Sequence, residues 1–398
     1  MRKRKINLLI VSQDSSALGG AEVLLTTLAN GFVKQGVNVS VLSNYKPFLN
    51  IQRKNITPIY VPFRMDIAGN IRGFVKFILQ MIPAIFWYGK IVKAYAKSDG
   101  GLILISGFSE KLIITPLAKI YKLPILWLEH GPLEELFGKN FGIPGLLYKT
   151  IEKSVLKIVT PSANTKNHLV KDANISIKKI TVISNGIEIK SVNEIKRIRN
   201  NALQIKRKID KTNNGFLVGM VSRIQKEKGQ DTAIEAMSIL CKRYDNIKLV
   251  IVGGGPELDK YKKYARQLNL GKNVIFPGYV SDEQKWRYYS IFDVCLFPTR
   301  WEIEGFGIVL LEAMMMGAPI IASNFGPVPE VVGDAGLLVK PDAEGVAGGI
   351  EKMYKDKHFC NKIIGKEIKR VKKFDTKIAT KKYLEVFEEL LIANDKDK

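Results

Sequence analysis

Residues 293–323 are DVCLFPTRWEIEGFGIVLLEAMMMGAPIIAS. Two apolar runs, 293–299 and 318–323, flank a glycine loop and a helix-like run that ends at Gly317. Because apolar strands separated by helices form parallel sheets covered on both faces, the stretch predicts a β-α-β unit. Ligands of such sheets bind beyond the carboxyl ends of the strands, so the loop before Ile308 is a candidate site.

The same alternation continues along the whole chain and predicts an α/β protein. The pattern favours two doubly wound Rossmann-like domains in tandem that face a central cleft. Predicted strands cover 6–12, 37–43, 101–106, 124–129, 157–162 and 179–184, then 216–222, 247–253, 273–278, 293–299, 318–323 and 336–340.

A polar stretch, 188–214, separates the two halves and is interpreted as a junction plus a surface excursion. We therefore predict a first domain at 1–187 and a second at 188–375. The last amphipathic stretch predicts a helix over 376–393.

The chain has 398 residues, three cysteines and a net charge of +24. The three cysteines are far apart, which favours a reduced, cytoplasmic setting without a disulfide framework. MRKRK leads directly into INLLIVS, which is typical of a buried first strand and not of a secretory signal. The charge indicates anionic partners, although a lysine-rich genome explains it equally well.

The longest uncharged apolar run is FILQMIPAIFWYG at 77–89. It contains Pro83 and is shorter than the roughly 20 residues that a spanning helix needs. Basic residues flank it within the segment 64–97. An interfacial helix on the inner face of the plasma membrane and a core-packed helix pair remain alternatives.

Several loops that follow predicted strands contain residues suited to binding an anion. Gly20 precedes a helix with Glu22 in its first turn, and glycine there permits close backbone approach. Arg223 and Lys228 follow strand 216–222 and suit a diphosphate. His130 follows strand 124–129, whereas His168 and His358 lie in polar helical patterns.

Two carboxylates bracket the glycine turn of the opening stretch. Glu304 lies on the loop, and Glu312 lies more than one turn into an apolar helix. A buried carboxylate is costly unless it is paired, and ribose hydroxyls would satisfy it. The structural alternative is that Glu304 caps the helix and Glu312 meets an internal arginine. The loop at 253–255 lacks a following Gly-Lys-Ser/Thr and is interpreted as a tight turn.

The stretches GGAE, VISNGI, SRIQKEKG, VIVGGGPE, FPGYVSDE and EGFGIVLLEAMMMGAPIIAS resemble the "glycosyl transferases group 1" family of retaining, nucleotide-sugar-dependent enzymes with the GT-B fold. The resemblance runs from about residue 6 to 392. It implies a first, acceptor-side domain and a second, donor-binding domain, with the C-terminal helix 376–393 packing back on the first domain. This chain has Ser222 where the family often has glycine before the arginine.

The resemblance also implies roles for individual residues. Glu304, His130, Arg223 and Lys228 would serve catalysis. The donor would be held by Gly20, Arg223, Lys228, Gly278, Tyr279, Val280, Glu304, Gly305, Phe306, Gly307, Ile308, Val309 and Glu312. Among these, Arg223 and Lys228 would hold the diphosphate and Glu312 the ribose.

The implied reaction moves a hexose from a UDP- or GDP-sugar to a glycan or lipid-linked acceptor in cell-surface polysaccharide or glycolipid synthesis. No cofactor and no metal is expected, since the only Asp-x-Asp, Asp395 to Asp397, lies in the tail. An anionic membrane is a candidate partner and nucleic acid is not. Alternatives are a nucleotide-sugar epimerase, a sugar phosphorylase or a non-enzymatic basic binding module.

Overall fold

The computed structural model describes residues 5–12, 19–63, 71–131, 133, 137, 142–212, 214–300 and 304–396. The chain divides into two compact units, and each is described by itself. Unit 1 comprises Met1–Glu188 and Thr376–Lys398, and unit 2 comprises Ile189–Asp375. The predicted second domain begins one residue earlier, at 188.

Unit 1 contains a seven-stranded sheet in the order β3-β2-β1-β4-β5-β6-β7, and every pairing is parallel. The chain leaves the central strand β1 in one direction and returns beside it at β4, which makes the sheet doubly wound. The strands are β1 Asn7–Val11, β2 Asn38–Ser43, β3 Thr57–Tyr60, β4 Gly101–Ile105, β5 Ile125–Leu128, β6 Lys157–Thr160 and β7 Ile180–Val182.

The helices of unit 1 cover both faces of this sheet. Phe77, Leu112, Trp127 and Tyr148 belong to one buried cluster, which joins helices α3, α4 and α5 to the sheet. The helices are α1 Gly20–Lys34, α2 Lys46–Asn50, α3 Ile71–Ala96, α4 Phe108–Ile120, α5 Ile143–Glu152 and α6 Ala163–Lys171.

The last helix of the chain, α15 at Thr376–Lys396, belongs to unit 1 and not to the unit that precedes it in sequence. It packs on α1, where the ring of Phe32 lies 5.7 Å from that of Tyr383 and 5.3 Å from that of Phe387. The terminal helix therefore packs on the first domain, as expected.

Helix α3 corrects the prediction for 77–89. The segment is neither interrupted at Pro83 nor folded as a helix pair, because one helix of 26 residues runs from Ile71 to Ala96 with Pro83 inside it. Neighbouring contacts on the buried side, such as those of Ala84 and Tyr88, outweigh the hydrogen bond that proline removes. Residues 64–70 of the predicted segment lie outside the described residues.

Unit 2 contains a six-stranded parallel sheet in the order β10-β9-β8-β11-β12-β13, which is the Rossmann order. All six predicted strands of this half are present. They are β8 Phe216–Val221, β9 Ile247–Val252, β10 Val274–Gly278, β11 Val294–Phe297, β12 Ile320–Ser323 and β13 Leu337–Val339.

The helices of unit 2 begin with one that the sequence analysis missed. The supposed surface excursion in 188–214 contains α7, whose apolar residues Ile195, Ala202 and Ile209 recur on one narrow face. The helices are α7 Val192–Ile209, α8 Gln230–Leu240, α9 Leu258–Gln267, α10 Asp282–Tyr289, α11 Ile308–Met316, α12 Val328–Val332, α13 Ala343–Lys355 and α14 Lys357–Val371.

Candidate active site

The turns that follow β8 and β11 lie side by side, because these strands are paired at the centre of the unit 2 sheet. The turn after β8 includes a short 3-10 helix, Lys226–Lys228. The carbonyl oxygen of Glu227 accepts hydrogen bonds from the backbone N–H of Arg300 at 3.0 Å and the hydroxyl of Thr299 at 3.2 Å. These bonds fix the position of Lys228 relative to the loop after β11.

Gly229 makes this close approach possible. Its φ is +79°, and a Cβ added there would lie 2.1 Å from the carbonyl oxygen of Pro298, at the end of β11. Any other residue would therefore combine a strained left-handed backbone with a clash against main chain. The glycine holds the two turns together and starts α8.

Lys228 and Glu304 form an ion pair at this edge of the sheet. Their side chains are only 14% and 12% exposed, so the pair is shielded far more than a surface salt bridge. The Lys228 ammonium also lies 6.0 Å from the ring centroid of Phe297. The structure thus brings together two residues that were predicted separately, and they contact each other directly.

Arg223 has an exposed side chain at the end of β8. Within the described ranges its guanidinium makes no ion pair. The neighbouring Ser222 hydroxyl accepts a hydrogen bond from Gln230 at 3.0 Å, and Gln230 also donates to the Arg223 carbonyl at 3.0 Å. Ser222 therefore has an internal partner, and Gln230 fixes the backbone beside the arginine.

The glycine turn Gly305–Gly307 leads into α11. Gly307 is the N-cap, with φ +85°, and the first bond of the turn runs from Leu310 N to Gly307 O at 3.0 Å. The N–H groups of Ile308 and Val309 precede that bond, so they lack an intrahelical acceptor, and the positive end of the helix dipole lies there. Phe306 is buried against Phe374, with 5.7 Å between the rings, which anchors the turn.

Glu312 is buried in α11 with both oxygens paired. Lys285 donates to Oε1 at 2.6 Å, and the Tyr289 hydroxyl donates to Oε2 at 2.9 Å. Burial lowers the pKa of Lys285, but the charges of Glu312 and Asp282 outweigh it and leave that pKa above its ordinary value. Burial and the Glu312 charge raise the pKa of Tyr289 well above its usual range.

The internal partner of Glu312 is therefore a lysine with a tyrosine, and not the arginine of the structural alternative. Lys285 and Tyr289 both lie on α10, four residues apart and on one face. Their signal in the sequence is weak, because nothing local links either residue to Glu312, which lies 27 and 23 residues further along the chain. Only the packing of α10 against α11 reveals the pair.

The turns after β9 and β10 complete this edge. A Cβ at Gly253, whose φ is +141°, would lie 2.0 Å from the carbonyl oxygen of Ser222, so that glycine serves backbone packing, as the tight-turn interpretation expects. Gly278 has φ +83°, a Cβ there would meet no described atom within 4 Å, and Tyr279 next to it is 77% exposed. Val280 is half-buried.

His130 follows β5 in unit 1, next to a buried polar network. Lys111 donates to Oε1 of Glu129 at 2.6 Å, and the Tyr148 hydroxyl donates to the same oxygen at 2.7 Å. Burial, together with the positive charge of Lys111, lowers the pKa of His130 to about 4. The imidazole is therefore neutral at physiological pH, and its Nε2 is buried without a hydrogen-bond partner among the described residues.

Sequence analysis did not identify Lys111, Glu129 or Tyr148. A signal was present, since Lys111 lies in the apolar helix FSEKLIITPLAKI and Glu129 ends the apolar strand ILWLE. Charged residues in apolar elements are costly unless paired, so they predict each other. Burial lowers the pKa of Lys111, and the charge of Glu129 counteracts this effect.

Gly20 begins α1. The carboxylate of Glu22 accepts a hydrogen bond from the Gly19 N–H at 2.8 Å and caps the helix. A Cβ at Gly20 would meet no atom of the described residues within 4 Å. Residues 13–18 of the predicted loop lie outside the described residues, as do 301–303 of the loop before Glu304.

The three cysteines are free thiols, and the described residues contain no group of three or more His, Cys, Asp or Glu side chains that could hold a metal ion. Burial raises the pKa of the Cys295 thiol far above its ordinary value, which makes it unreactive. Cys241 and Cys360 are half-buried and their pKa values are also raised by burial.

Comparison with known proteins identifies two family models along the chain. Residues 201–370 match "Glycosyl transferases group 1", and residues 18–191 match "Glycosyltransferase Family 4". The first match covers the turns that contain Lys228 and Glu304 and the helix that contains Glu312. The second covers α1 and the strand that precedes His130.

Two relatives illustrate the similarity. The capsular polysaccharide biosynthesis glycosyltransferase CapM of Staphylococcus aureus is 29% identical over 87% of this chain and 88% of its own length. A GDP-mannose-dependent alpha-(1-6)-phosphatidylinositol monomannoside mannosyltransferase of Mycobacterium tuberculosis is 39% identical over 126 residues, 30% of this chain. The match spans about a third of that enzyme's length, 33%.

A solved structure of Anabaena HepE in complex with UDP superposes with a TM-score of 0.76, at 20% identity, over 96% of this chain and 100% of the other. At that identity the likeness concerns the fold. The two Rossmann-like sheets and the match to the two family models agree with it. The chain thus has the two-domain GT-B fold; residues 201–370 are similar to the group 1 glycosyltransferases and residues 18–191 to glycosyltransferase family 4.

Proposed function

We propose that the protein is a retaining glycosyltransferase that moves a hexose from a UDP- or GDP-sugar to a glycan or lipid-linked acceptor. The observation that carries the proposal is the arrangement at the edge of unit 2. Lys228, paired with Glu304, and the exposed Arg223 lie on turns that flank the N-terminus of α11. Cations and unpaired N–H groups in one place suit the diphosphate of such a donor.

The diphosphate would be bound by Arg223 and Lys228. Breaking the bond between the anomeric carbon and the phosphate oxygen places negative charge on the leaving diphosphate. Fixed cations stabilise that charge without reorganisation, which is the largest single contribution in many enzymes. The ion pair with Glu304 and the contact with the Phe297 ring hold Lys228 in place.

Glu312 would accept hydrogen bonds from the ribose hydroxyls. A carboxylate has about four lone-pair sites. Lys285 and Tyr289 use two of them, and the remaining two match the two hydroxyls of a ribose. The pair on α10 thus holds the carboxylate in one orientation and offsets the cost of burying it.

The transferred sugar would be bound by Glu304 and the N–H groups of Gly305–Gly307, with Ile308 and Val309 at the ribose-phosphate end. His130, neutral by virtue of its low pKa, would hydrogen-bond a sugar hydroxyl without adding charge. The acceptor oxygen bonds to the anomeric carbon on the face that the diphosphate leaves. Its proton passes to the leaving phosphate oxygen, which serves as the base.

We propose that no metal is required, because Arg223, Lys228 and the end of α11 supply the positive charge that a metal would supply. Turnover in excess EDTA tests this directly, with a known metal-dependent glycosyltransferase as the control. We expect unchanged kcat. A loss of activity that Mg²⁺ or Mn²⁺ restores would contradict the proposal.

The proposed classes of donor and acceptor are based on the names of similar proteins. HepE was solved with UDP, the mycobacterial relative is named for GDP-mannose, and CapM is named for capsular polysaccharide. A thermal-shift screen of UDP-, GDP- and ADP-sugars identifies the donor of this chain. Proton NMR of the product with that donor then gives the anomeric configuration, and inversion would overturn the retaining mechanism.

The same experiment separates the alternative reactions. An epimerase converts the nucleotide-sugar without an acceptor, and a phosphorylase requires inorganic phosphate. We expect no sugar transfer without an acceptor apart from slow hydrolysis. A basic binding module would give no thermal shift with any nucleotide-sugar.

A further inference from the structure

We infer that the outward face of α3 binds the surface of a membrane that contains anionic phospholipid. This outward face is defined by Val75, Ile78, Leu79, Ile82 and Phe86. The inference rests on the two opposite faces of one helix and on its charge. It is independent of the proposed reaction.

The inner face of α3 is fixed in the core. Phe77, Ala84, Tyr88 and Val92 are buried, and all four belong to the cluster that α3 shares with the sheet and α4. Their spacing of seven, four and four residues places them on one side of a helix. The orientation of α3 in unit 1 is thereby set.

The outward face is apolar and uncovered. Its five residues occupy positions i, i+3, i+4, i+7 and i+11, which form a single stripe opposite the buried one. Leu79 is 74% exposed, Ile82 66% and Phe86 70%. A contiguous stripe of large exposed apolar side chains marks an interaction surface, whereas scattered ones do not.

Charge identifies the partner. Helix α3 contains no acidic residue, and its four basic residues lie beyond the two ends of the apolar stripe or beside it. Arg72 and Lys76 are near the start, and Lys90 and Lys93 follow Phe86; all four side chains are exposed. An apolar centre between cations is complementary to acyl chains beneath anionic headgroups.

A second copy of the chain does not fit this surface. Two outward faces in contact would place four cations opposite four cations with no acid on either helix. A spanning arrangement does not fit either. From Val75 to Ala96 the helix is, by length and composition alone, apolar enough to cross a membrane, the one such helix in the described part of the chain. Spanning would break the buried contacts of Phe77 and Tyr88, whereas lying in the interface preserves them.

The test is flotation of the whole protein with vesicles of phosphatidylcholine and phosphatidylglycerol, 7:3, and with phosphatidylcholine alone, at low salt. Three proteins are compared: wild type, Leu79→Gln/Phe86→Gln, and the control Leu203→Gln/Ile392→Gln. The control residues are 53% and 55% exposed on α7 and α15. We expect wild type and control to float with anionic vesicles and the α3 variant to lose at least about tenfold in partition coefficient.

A charge variant, Lys90→Gln/Lys93→Gln, separates the two contributions. We expect about a thirtyfold lower partition onto anionic vesicles, since each basic residue near the surface contributes about fivefold. Nucleotide-sugar thermal shifts should be the same in all four proteins, which distinguishes this inference from the proposed reaction.

Three outcomes would overturn the inference. Wild type would fail to float with anionic vesicles, or the control would lose as much binding as the α3 variant. Alternatively, sedimentation velocity would show a wild-type dimer that the α3 variant dissociates, which would assign this face to a second copy.

Discussion

The carboxylate of Glu312 is buried in an apolar helix, accepts bonds from Lys285 and Tyr289, and is the proposed acceptor for the ribose hydroxyls. We expect Glu312→Gln to weaken UDP or GDP binding about ten- to a hundredfold, the range for hydrogen bonds to a charged group. Isothermal titration calorimetry measures it, with exposed Glu344→Gln as the control. Equal nucleotide affinity in wild type and Glu312→Gln would refute the ribose assignment.

Glu304 has a different role from Glu312, and the ion pair with Lys228 predicts a different kinetic effect. Glu304→Gln removes the negative charge beside Lys228, so we expect nucleotide affinity to be unchanged or higher while kcat falls about a hundredfold. Steady-state kinetics combined with nucleotide titration checks this separation. A rise in nucleotide Kd with little change in kcat would instead assign Glu304 to the nucleotide.

His130 predicts a pH dependence of stability. Its pKa falls from 6.5 to about 4 on folding, so between these values the unfolded chain binds more protons. The free energy of unfolding therefore rises with pH between pH 4 and 6.5, by up to about 3 kcal/mol. Above this window the full gain is present. Urea titrations at pH 5 and 7 should show a smaller difference in His130→Gln than in wild type or in the exposed control His358→Gln. Equal differences would contradict the burial of a neutral imidazole.

The residues that sequence analysis selected and those that it missed differ in one physical respect. Arg223, Lys228, Glu304 and Glu312 follow strand ends or interrupt an apolar pattern, which is local information. Their partners come from elsewhere: Lys285 lies 27 residues before Glu312, and Lys228 lies 76 residues before Glu304. A single sequence contains no signal for such pairs until the strands are arranged in order.

At the scale of elements, the apolar strands were predicted because burial on both faces removes any alternation of polar residues. Strand β3 was missed, since Thr57–Tyr60 is an edge strand that is mostly exposed and contains Pro58. Helix α7 was missed for a related reason: its apolar stripe is narrow, and Ala202 is its only fully buried residue.

Helix α7 begins with a signal that was available, a capping box. The Ser191 hydroxyl accepts a hydrogen bond from the Glu194 N–H, and the Glu194 carboxylate accepts one from the Ser191 N–H at 2.8 Å. We expect Ser191→Ala to lower the free energy of unfolding by about 1 kcal/mol. Urea denaturation measures it, and Ser176→Ala, at an exposed serine without a cap bond, should have little effect. Equal losses would show that the cap contributes nothing.

At the scale of the whole molecule, the division into two doubly wound sheets followed from the order of strands and helices alone. The buried network around Glu129 and the continuous helix through Pro83 did not follow, because both depend on packing between segments that are distant in sequence. The return of α15 to unit 1 has a consequence that can be measured.

Because α15 belongs to unit 1, a change near the C-terminus should weaken the unit at the N-terminus. Phe387 is buried against Phe32, so we expect Phe387→Ala to cost about 3 to 5 kcal/mol. Hydrogen exchange should increase in α1 while the strands of unit 2 keep their protection. Ile392→Ala, at an exposed position of the same helix, is the control. Increased exchange confined to unit 2 would contradict the assignment of α15.

The same helix fixes an order of events during translation. The face of α1 that contains Phe32 lacks the rings of Tyr383 and Phe387 until these leave the ribosome, roughly half a minute later at about 10 residues per second. Unit 2 is continuous from Ile189 to Asp375 and has every strand of its sheet before that moment. The nascent chain therefore completes its second unit before its first, and an apolar face of unit 1 is open to chaperones throughout that interval.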